Sequence, residues 1–253
     1  MTGATPALSV AGLGLRIGGV SIVEDVSIDV PPGEFLVIIG PNGAGKTTLF
    51  NLLSGVARPT AGSIALGGRD ITHAAPYVRA RLGLGRTFQT STIFAGLSTL
   101  ENVRLAASAA LGTSARAWRL ADHEAAPLAR ARRALADVGL DGRENIHAAL
   151  LSHGEKRKLD LAILLCTEPD VVLLDEPTAG MAVEDVPEMV RLIASIHRDQ
   201  AKTVLMVEHR MDLVLSLADR MAVMHHGALL AIDTPDRIVA NETVQTAYLG
   251  DPL

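Results

Sequence analysis

The sequence predicts an α/β fold: a mixed sheet with helices on both faces, an antiparallel β subdomain at its start, and an inserted α-helical subdomain. Three observations predict it. Short, nearly continuous apolar runs recur with helical segments after them, the β-then-α rhythm of a parallel sheet. The first third instead alternates β-rich runs with turn residues. From about Thr99 to Lys158 the β signal gives way to a stretch rich in alanine, leucine and arginine, all good helix formers.

Taken in order, residues 8–17 and 21–30 read as antiparallel strands, and Pro31-Pro32-Gly33 turns the chain into residues 34–39. That third run is almost wholly apolar, as a strand covered on both faces must be. A helix is expected over 45–53. Residues 99–158 form the helical lobe, with poor periodicity over 112–126 around Trp118, the single tryptophan. Buried strands return at 171–174 and 203–207, followed by helices over 183–197 and 211–217. The whole chain is expected to be one domain, residues 1–98 and 168–253 making the core with its β subdomain and residues 99–167 the helical subdomain.

Composition narrows the function. Hydrophobic residues at 48% and charged residues at 20% exclude a disordered chain. A net charge of −5 argues against broad adhesion to nucleic acid or anionic membrane, both of which favour basic patches. Arg116, Arg119, Arg130, Arg132 and Arg133 are interspersed with Asp122, Glu124 and Asp137, so they read as a solvated helix face. Cys166, the single cysteine, lies in an apolar run and reads as a buried core thiol. The first ten residues lack a leader pattern, and no apolar run approaches the roughly 18 residues of a membrane span. A cytoplasmic chain that spans nothing is the expectation.

Two motifs carry chemistry. Gly40-Pro41-Asn42-Gly43-Ala44-Gly45-Lys46-Thr47 matches G-x-x-x-x-G-K-[ST] and lies between an expected strand and an expected helix, as a P-loop requires. Its glycines let backbone N–H groups face phosphates without a side chain in the way. Lys46 then reaches the β and γ phosphates, and Thr47 offers a hydroxyl to Mg²⁺. The predicted core is therefore a P-loop NTPase. Asp175 and Glu176 end the strand at 171–174, at the carboxyl edge where ligands of open α/β sheets sit. Asp175 fits the metal and Glu176 the attacking water.

Leu151-Ser152-His153-Gly154-Glu155 resembles the ABC signature L-S-G-G-Q, lying after the helical lobe and shortly before Asp175-Glu176 as in that family. Ser152-x-x-Glu155 is also a capping box that would start any helix. The chain is thereby similar to ABC transporter ATPases along nearly its whole length. The resemblance implies that ATP is held by residues 40–47 together with Thr48, by Gln89 of Gly85-Arg86-Thr87-Phe88-Gln89, and by Ser152 and Gly154 facing the ATP of a partner subunit. It implies Thr47, Gln89 and Asp175 as Mg²⁺ ligands, and Glu176, His209 and Lys46 as catalytic residues. Ala179-Gly180-Met181 corresponds to the contact between ATPase subunits.

Four positions depart from the family pattern. His153 replaces a glycine, Glu155 replaces glutamine, and Arg210 stands where aspartate often follows the histidine. Where the family carries an aromatic residue to stack on adenine the chain has Ile17, which implies a loose hold on the base. Arg86-Thr87-Phe88-Gln89, the long lobe and the ending Ala247-Tyr248-Leu249-Gly250 look most like branched-chain amino acid importer ATPases. Urea and short-chain amide importers, lipopolysaccharide-export ATPases, and ABC ATPases acting on DNA or ribosomes are the alternatives in falling order. The resemblance further implies a homodimer, or a heterodimer with a paralogous ATPase. Two transmembrane permease subunits, an indirectly engaged periplasmic solute-binding protein and a place on the cytoplasmic face of the inner membrane are also implied by it. No nucleic acid partner is expected.

Overall fold

The computed structural model describes residues 5–87, 93–112 and 122–249, and the chain forms two compact units. The first comprises residues 1–84, 170–176 and 194–253, the second residues 85–169 and 177–193.

The first unit opens with an antiparallel sheet. Strands β1 (Leu8–Ile17) and β2 (Val20–Val30) pair with Leu8 opposite Val30, and β1 also pairs β4 (Ala61–Leu66), which carries the short β5 (Arg69–Asp70). Between them in sequence lie β3 (Phe35–Ile39) and helix α1 (Lys46–Ser54). After β5 come α2 (Pro76–Arg81) and β6 (Leu84–Arg86), at whose first residue the unit ends. The chain returns to it through β7 (Val171–Asp175), β8 (Thr203–Val207), α7 (Met211–Leu217), the hairpin β9 (Arg220–His225) and β10 (Ala228–Asp233), then α8 (Pro235–Val239) and α9 (Glu242–Leu249).

The second sheet has the order β10-β9-β3-β8-β7-β6. Strand β3 is parallel to both β8 and β9, and β7 is parallel to β8, whereas β10 closes the edge antiparallel to β9. Every residue of β3, β7 and β8 is buried, which explains their unbroken apolar runs. Leu36 and Ile38 share one core with Leu205, Val207, the inward residues of β1 and β2, and Leu49, Phe50, Leu52 and Leu53 of α1. Helix α1 is thus wedged between the two sheets. On the other face Phe35 meets the ring of His197 edge-on, centroids 5.2 Å apart.

A buried cation anchors the far end of α1. Arg79, 1% exposed, donates to the carbonyls of Leu52 at 2.7 Å and Leu53 at 2.6 Å in the last turn of α1, and to Thr72 at 2.9 Å and Ala74 at 3.0 Å. The last carbonyls of a helix have no intrahelical donor, and a cation suits the negative end of its dipole. Gly55, with φ of 79°, ends the helix where a Cβ would lie 2.8 Å from Arg79 Nε.

The second unit packs α3 (Thr99–Ala110), α4 (Asp122–Asp137) and α5 (His153–Leu165), and takes in the start of α6 (Val186–Asp199). Val103, Ala107, Ala131, Leu135, Leu159 and Ala162 are all buried. Cys166 is buried with them, its thiol donating to Ile163 O at 3.1 Å and its pKa pushed up to about 12 by burial. Arg130 is mostly buried and paired with Glu168 at 3.0 Å, so it is not part of a solvated face, whereas Arg132 is exposed beside Glu144. The helix expected from residue 183 begins at Val186, because Asp185 N–H closes a turn onto Ala182 O and Pro187 suits only the first helical turn. Among the described residues no helix is long and apolar enough to cross a membrane.

Arg79→Met should remove the four hydrogen bonds to Leu52, Leu53, Thr72 and Ala74, of which only Leu52 O keeps the Gly55 N–H, and lower unfolding stability by about 3 kcal/mol. Urea denaturation of wild type and variant measures the difference.

Candidate functional site

Three adjacent parallel strands end together. The register aligns Ile38 of β3 with Val207 of β8, and Val207 with Asp175 of β7. The segments that leave these strands therefore meet at one edge: the Gly40–Thr47 loop after β3, Glu176 after β7, and His209 after β8.

The loop is built by close approach. Gly40, with φ of 155°, lies against β9 so tightly that a Cβ would sit 2.3 Å from Met224 O, and Gly45, with φ of 96°, allows 2.9 Å to Ile22 O. Asn42 and Gly43 are exposed at its crest, while Ala44 is buried beneath. Gly45 caps α1 without a side-chain hydrogen bond, and the first turn of α1 holds no acidic residue. Its leading N–H groups thus keep the positive end of the helix dipole available to an anion.

Lys46 opens α1, 6% exposed, and donates to Gly40 O at 2.6 Å and Pro41 O at 2.9 Å. Burial pushes its pKa below the usual lysine range, while the nearby Glu176 and Asp175 carboxylates pull it back up. Thr47 and Thr48 come next, half-buried, on the same turn. Asp175 is 1% exposed at the end of β7. Glu176 emerges beyond it with φ of 49°, a left-handed conformation that costs a non-glycine residue about 1 kcal/mol and swings its carboxylate out of the strand direction. Its N–H remains bonded to Val207 O at 3.0 Å. Its Oε1 lies 2.9 Å from His209 Nε2. His209 N–H in turn donates to Glu208, and Arg210 folds back onto Asp212 at 3.1 Å.

The residues at this edge suit a nucleoside triphosphate with Mg²⁺. An uncapped helix start, a lysine and a glycine cradle offer donors to phosphate. Among the described residues no three His, Cys, Asp or Glu side chains gather to hold a metal. A hard cation that keeps one carboxylate, a hydroxyl and phosphate oxygens needs no such cluster, and Asp175 and Thr47 are the residues that would provide the first two. Gln89 lies outside the described residues. Ile17, at the end of β1, is 62% exposed.

Ser152 and Gly154 lie in the second unit, at the start of α5. The capping box forms in full: Ser152 Oγ accepts from Glu155 N–H at 3.2 Å, and Ser152 N–H donates to Glu155 Oε2 at 2.8 Å. Ser152 is exposed and its hydroxyl proton is not used by the box. Gly154 is buried, and a Cβ there would come 3.1 Å from Asp185 Oδ2. His153 lies over the Ala179-Gly180 turn, Nε2 3.4 Å from Ala179 O, and a Cβ on Gly180 would meet that nitrogen at 2.9 Å. Glu155 has its carboxyl held below the ordinary value of 4.5, first by the Ser152 N–H and then by Arg143, whose Nε is 2.9 Å away. The box is therefore complete above that value and weakens only as pH falls through the lower folded one. Nearby, buried Asn102 pins the loop before α3, accepting from Phe94 N–H at 2.7 Å and donating to Phe94 O at 3.1 Å, which leaves the Phe94 ring 61% exposed.

A family profile described as ABC transporter matches residues 23–179. The chain is 38% identical to the high-affinity branched-chain amino acid transport ATP-binding protein LivG of Escherichia coli K12, over 97% of this chain and 98% of that protein. The Pseudomonas aeruginosa protein BraF, described in the same words, matches at 38% with the same coverage of both chains. The lipopolysaccharide export system ATP-binding protein LptB of Acidithiobacillus ferridurans matches at 35% over 91% of each. Among solved structures, a nucleotide-free ATP-binding cassette from an ABC transporter superposes with a TM-score of 0.84 at 25% identity, covering 97% of this chain and 99% of that one. The ADP conformation of another such cassette gives 0.83 at 26%, with the same coverage.

The His153 and Gly180 contacts are coupled. Gly180→Ala forces a left-handed alanine against the imidazole and should cost about 2 kcal/mol, whereas in a His153→Gly background it should cost only the backbone strain of about 1 kcal/mol. A double-mutant cycle by denaturant unfolding reads the difference.

Proposed function

The chain belongs to the ABC transporter family, and on that premise we propose that it binds and hydrolyses ATP to drive an importer of branched-chain amino acids. The observation that carries the solute class is the similarity to LivG and BraF, which runs over 97% of the chain rather than over the nucleotide motifs alone. The observation that carries the reaction is the shared carboxyl edge of β3, β7 and β8, which unites Lys46, Asp175, Glu176 and His209.

In this reading the N–H groups of residues 40–47 and the start of α1 bind the phosphates, and Lys46 exchanges its two backbone carbonyls for β and γ oxygens. Thr47, Asp175 and Gln89 would hold Mg²⁺, which supplies charge to the transferring phosphoryl group when bound. Glu176 orients a water for attack on the γ phosphorus, accepts its proton as the P–O bond to ADP breaks, and is itself held in place by His209. ADP and inorganic phosphate leave. Ser152 and Gly154 serve the ATP of a second ATPase subunit, so two sites form at a head-to-tail interface. Phe94 and its neighbours, presented by Asn102, receive a membrane subunit, since an exposed aromatic beside half-buried Ile93 and Leu97 suits a protein contact. The chain then works at the cytoplasmic face of the membrane.

Glu176→Gln in the assembled transporter should retain ATP and release phosphate at least about a hundredfold more slowly. Near-normal release would remove Glu176 from its role.

Mixing Lys46→Ala with Ser152→Arg subunits should restore one intact site per mixed dimer and part of the activity that neither variant has alone. Absence of any recovery, with dimers shown to form, would overturn the composite site.

A further inference from the structure

The β9–β10 hairpin turns on two histidines that strand geometry alone would keep apart. Successive side chains of a strand point to opposite faces, so His225, the last residue of β9, and His226 after it should diverge. They do not. His226 has φ of 48° and Gly227 φ of 83°, the paired positive values of a type I′ turn, and Ala228 stands opposite His225. With the backbone left-handed at His226, its imidazole lies on that of His225: the ring centroids are 4.0 Å apart and the planes 64° to each other.

Each of the two rings has only the other. Among the described residues neither makes a hydrogen bond or an ion pair, whereas His147, His153, His197 and His209 each set a ring nitrogen against an oxygen. His225 is half-buried and His226 exposed, so an ion from solvent can reach the pair. The backbone that carries them is braced on both sides. Gly227 N–H donates to Ala44 O at 3.1 Å, its carbonyl accepts from Glu24 N–H at 2.8 Å, and a Cβ at this position would lie 2.6 Å from Ile22 O. Two ligands on a fixed backbone lose little freedom when they bind. The left-handed conformation costs a residue with a side chain about 1 kcal/mol, and glycine or asparagine would make the same turn more cheaply.

We propose that His225 and His226 form a binding site for a divalent transition ion, Cu²⁺, Ni²⁺ or Zn²⁺, which takes one nitrogen from each ring and water in its remaining positions. Neutral imidazole suits these ions, whereas Mg²⁺ prefers oxygen. Metal–nitrogen bonds of about 2.0–2.1 Å at tetrahedral or square-planar angles put two ligand nitrogens about 3 Å apart. Rings already 4.0 Å apart reach that spacing by turning about their own side-chain bonds, with the backbone unmoved. The described residues gather no third ligand, so the ion keeps exchangeable positions and is held less tightly than in a closed four-ligand site. The site takes a different class of ion from the Mg²⁺ assigned to Thr47 and Asp175, and it stands independently of the nucleotide reading.

The test is calorimetric titration of the full chain, free of nucleotide, by Cu²⁺, Ni²⁺ and Zn²⁺, each with Mg²⁺ in excess. Cu²⁺ should bind more tightly than the other two, and Mg²⁺ should displace none of them. His225→Ala and His226→Asn should each weaken Cu²⁺ by at least about tenfold, since the second imidazole binds as an intramolecular ligand. Asparagine is chosen at 226 because it tolerates the left-handed turn, so the hairpin is kept while the ligand is lost. His73→Ala, at an exposed histidine elsewhere in the chain, should change nothing. Electron paramagnetic resonance of the one-equivalent Cu²⁺ complex should show two coupled ring nitrogens in wild type and one in either hairpin variant. Equal Cu²⁺ affinity in wild type and both hairpin variants would overturn the proposal, as would a wild-type spectrum that neither substitution alters. Either result leaves the nucleotide reading untouched.

Discussion

The pairing of β3, β8 and β7 is the constraint on which the rest of the structure depends. Parallel strands have their carboxyl ends on one edge, and the register that aligns Ile38, Val207 and Asp175 decides which residues come next there. A slip of one residue along β8 would invert its side chains and carry His209 away from Glu176. Full burial of all three strands on both faces fixes that register, so the geometry of this edge is a consequence of core packing. Helix α1 is set by the same core, its first residue placing Lys46 beside the two carboxylates while Arg79 holds its last turn.

Much of this was legible in the sequence because the relevant signals are local. The string from Gly40 to Thr47 must follow a strand and open a helix, and it does. The capping box at Ser152 and Glu155 needs only four consecutive residues. Asp175 and Glu176 were recognisable as the end of an apolar run. Strand alternation predicts that their side chains diverge; the structure adds a left-handed backbone at Glu176.

The parts that could not be read are non-local. Arg79 looks like any surface arginine in a short helix, since its four acceptors come from two other segments of chain. Strands β9 and β10 carry ordinary apolar patterns, and nothing in residues 220–233 announces that Met224 O will press on Gly40. Val20 is likewise unremarkable until the Gly18-Gly19 turn sets it opposite Ile17. Arg130 resembles its exposed neighbours in the arginine-rich lobe, and only the approach of Glu168 separates it from them.

The departures from the signature pattern share one physical account. Glutamate satisfies the capping box as glutamine would, and the charge it adds lies at a helix N-terminus, where it is favoured, and beside Arg143, which balances it. Histidine at position 153 occupies an ordinary helical position, so the glycine it replaces was not needed there for backbone freedom. The requirement for glycine appears instead at Gly154, beneath Asp185, and at Gly180, beneath the imidazole. The side chain added at 153 is thus accommodated by the absence of one at 180, and the two loops are packed as a single surface within the second unit. That surface leaves Ser152 exposed, as the proposed contact with the phosphate of a second subunit requires.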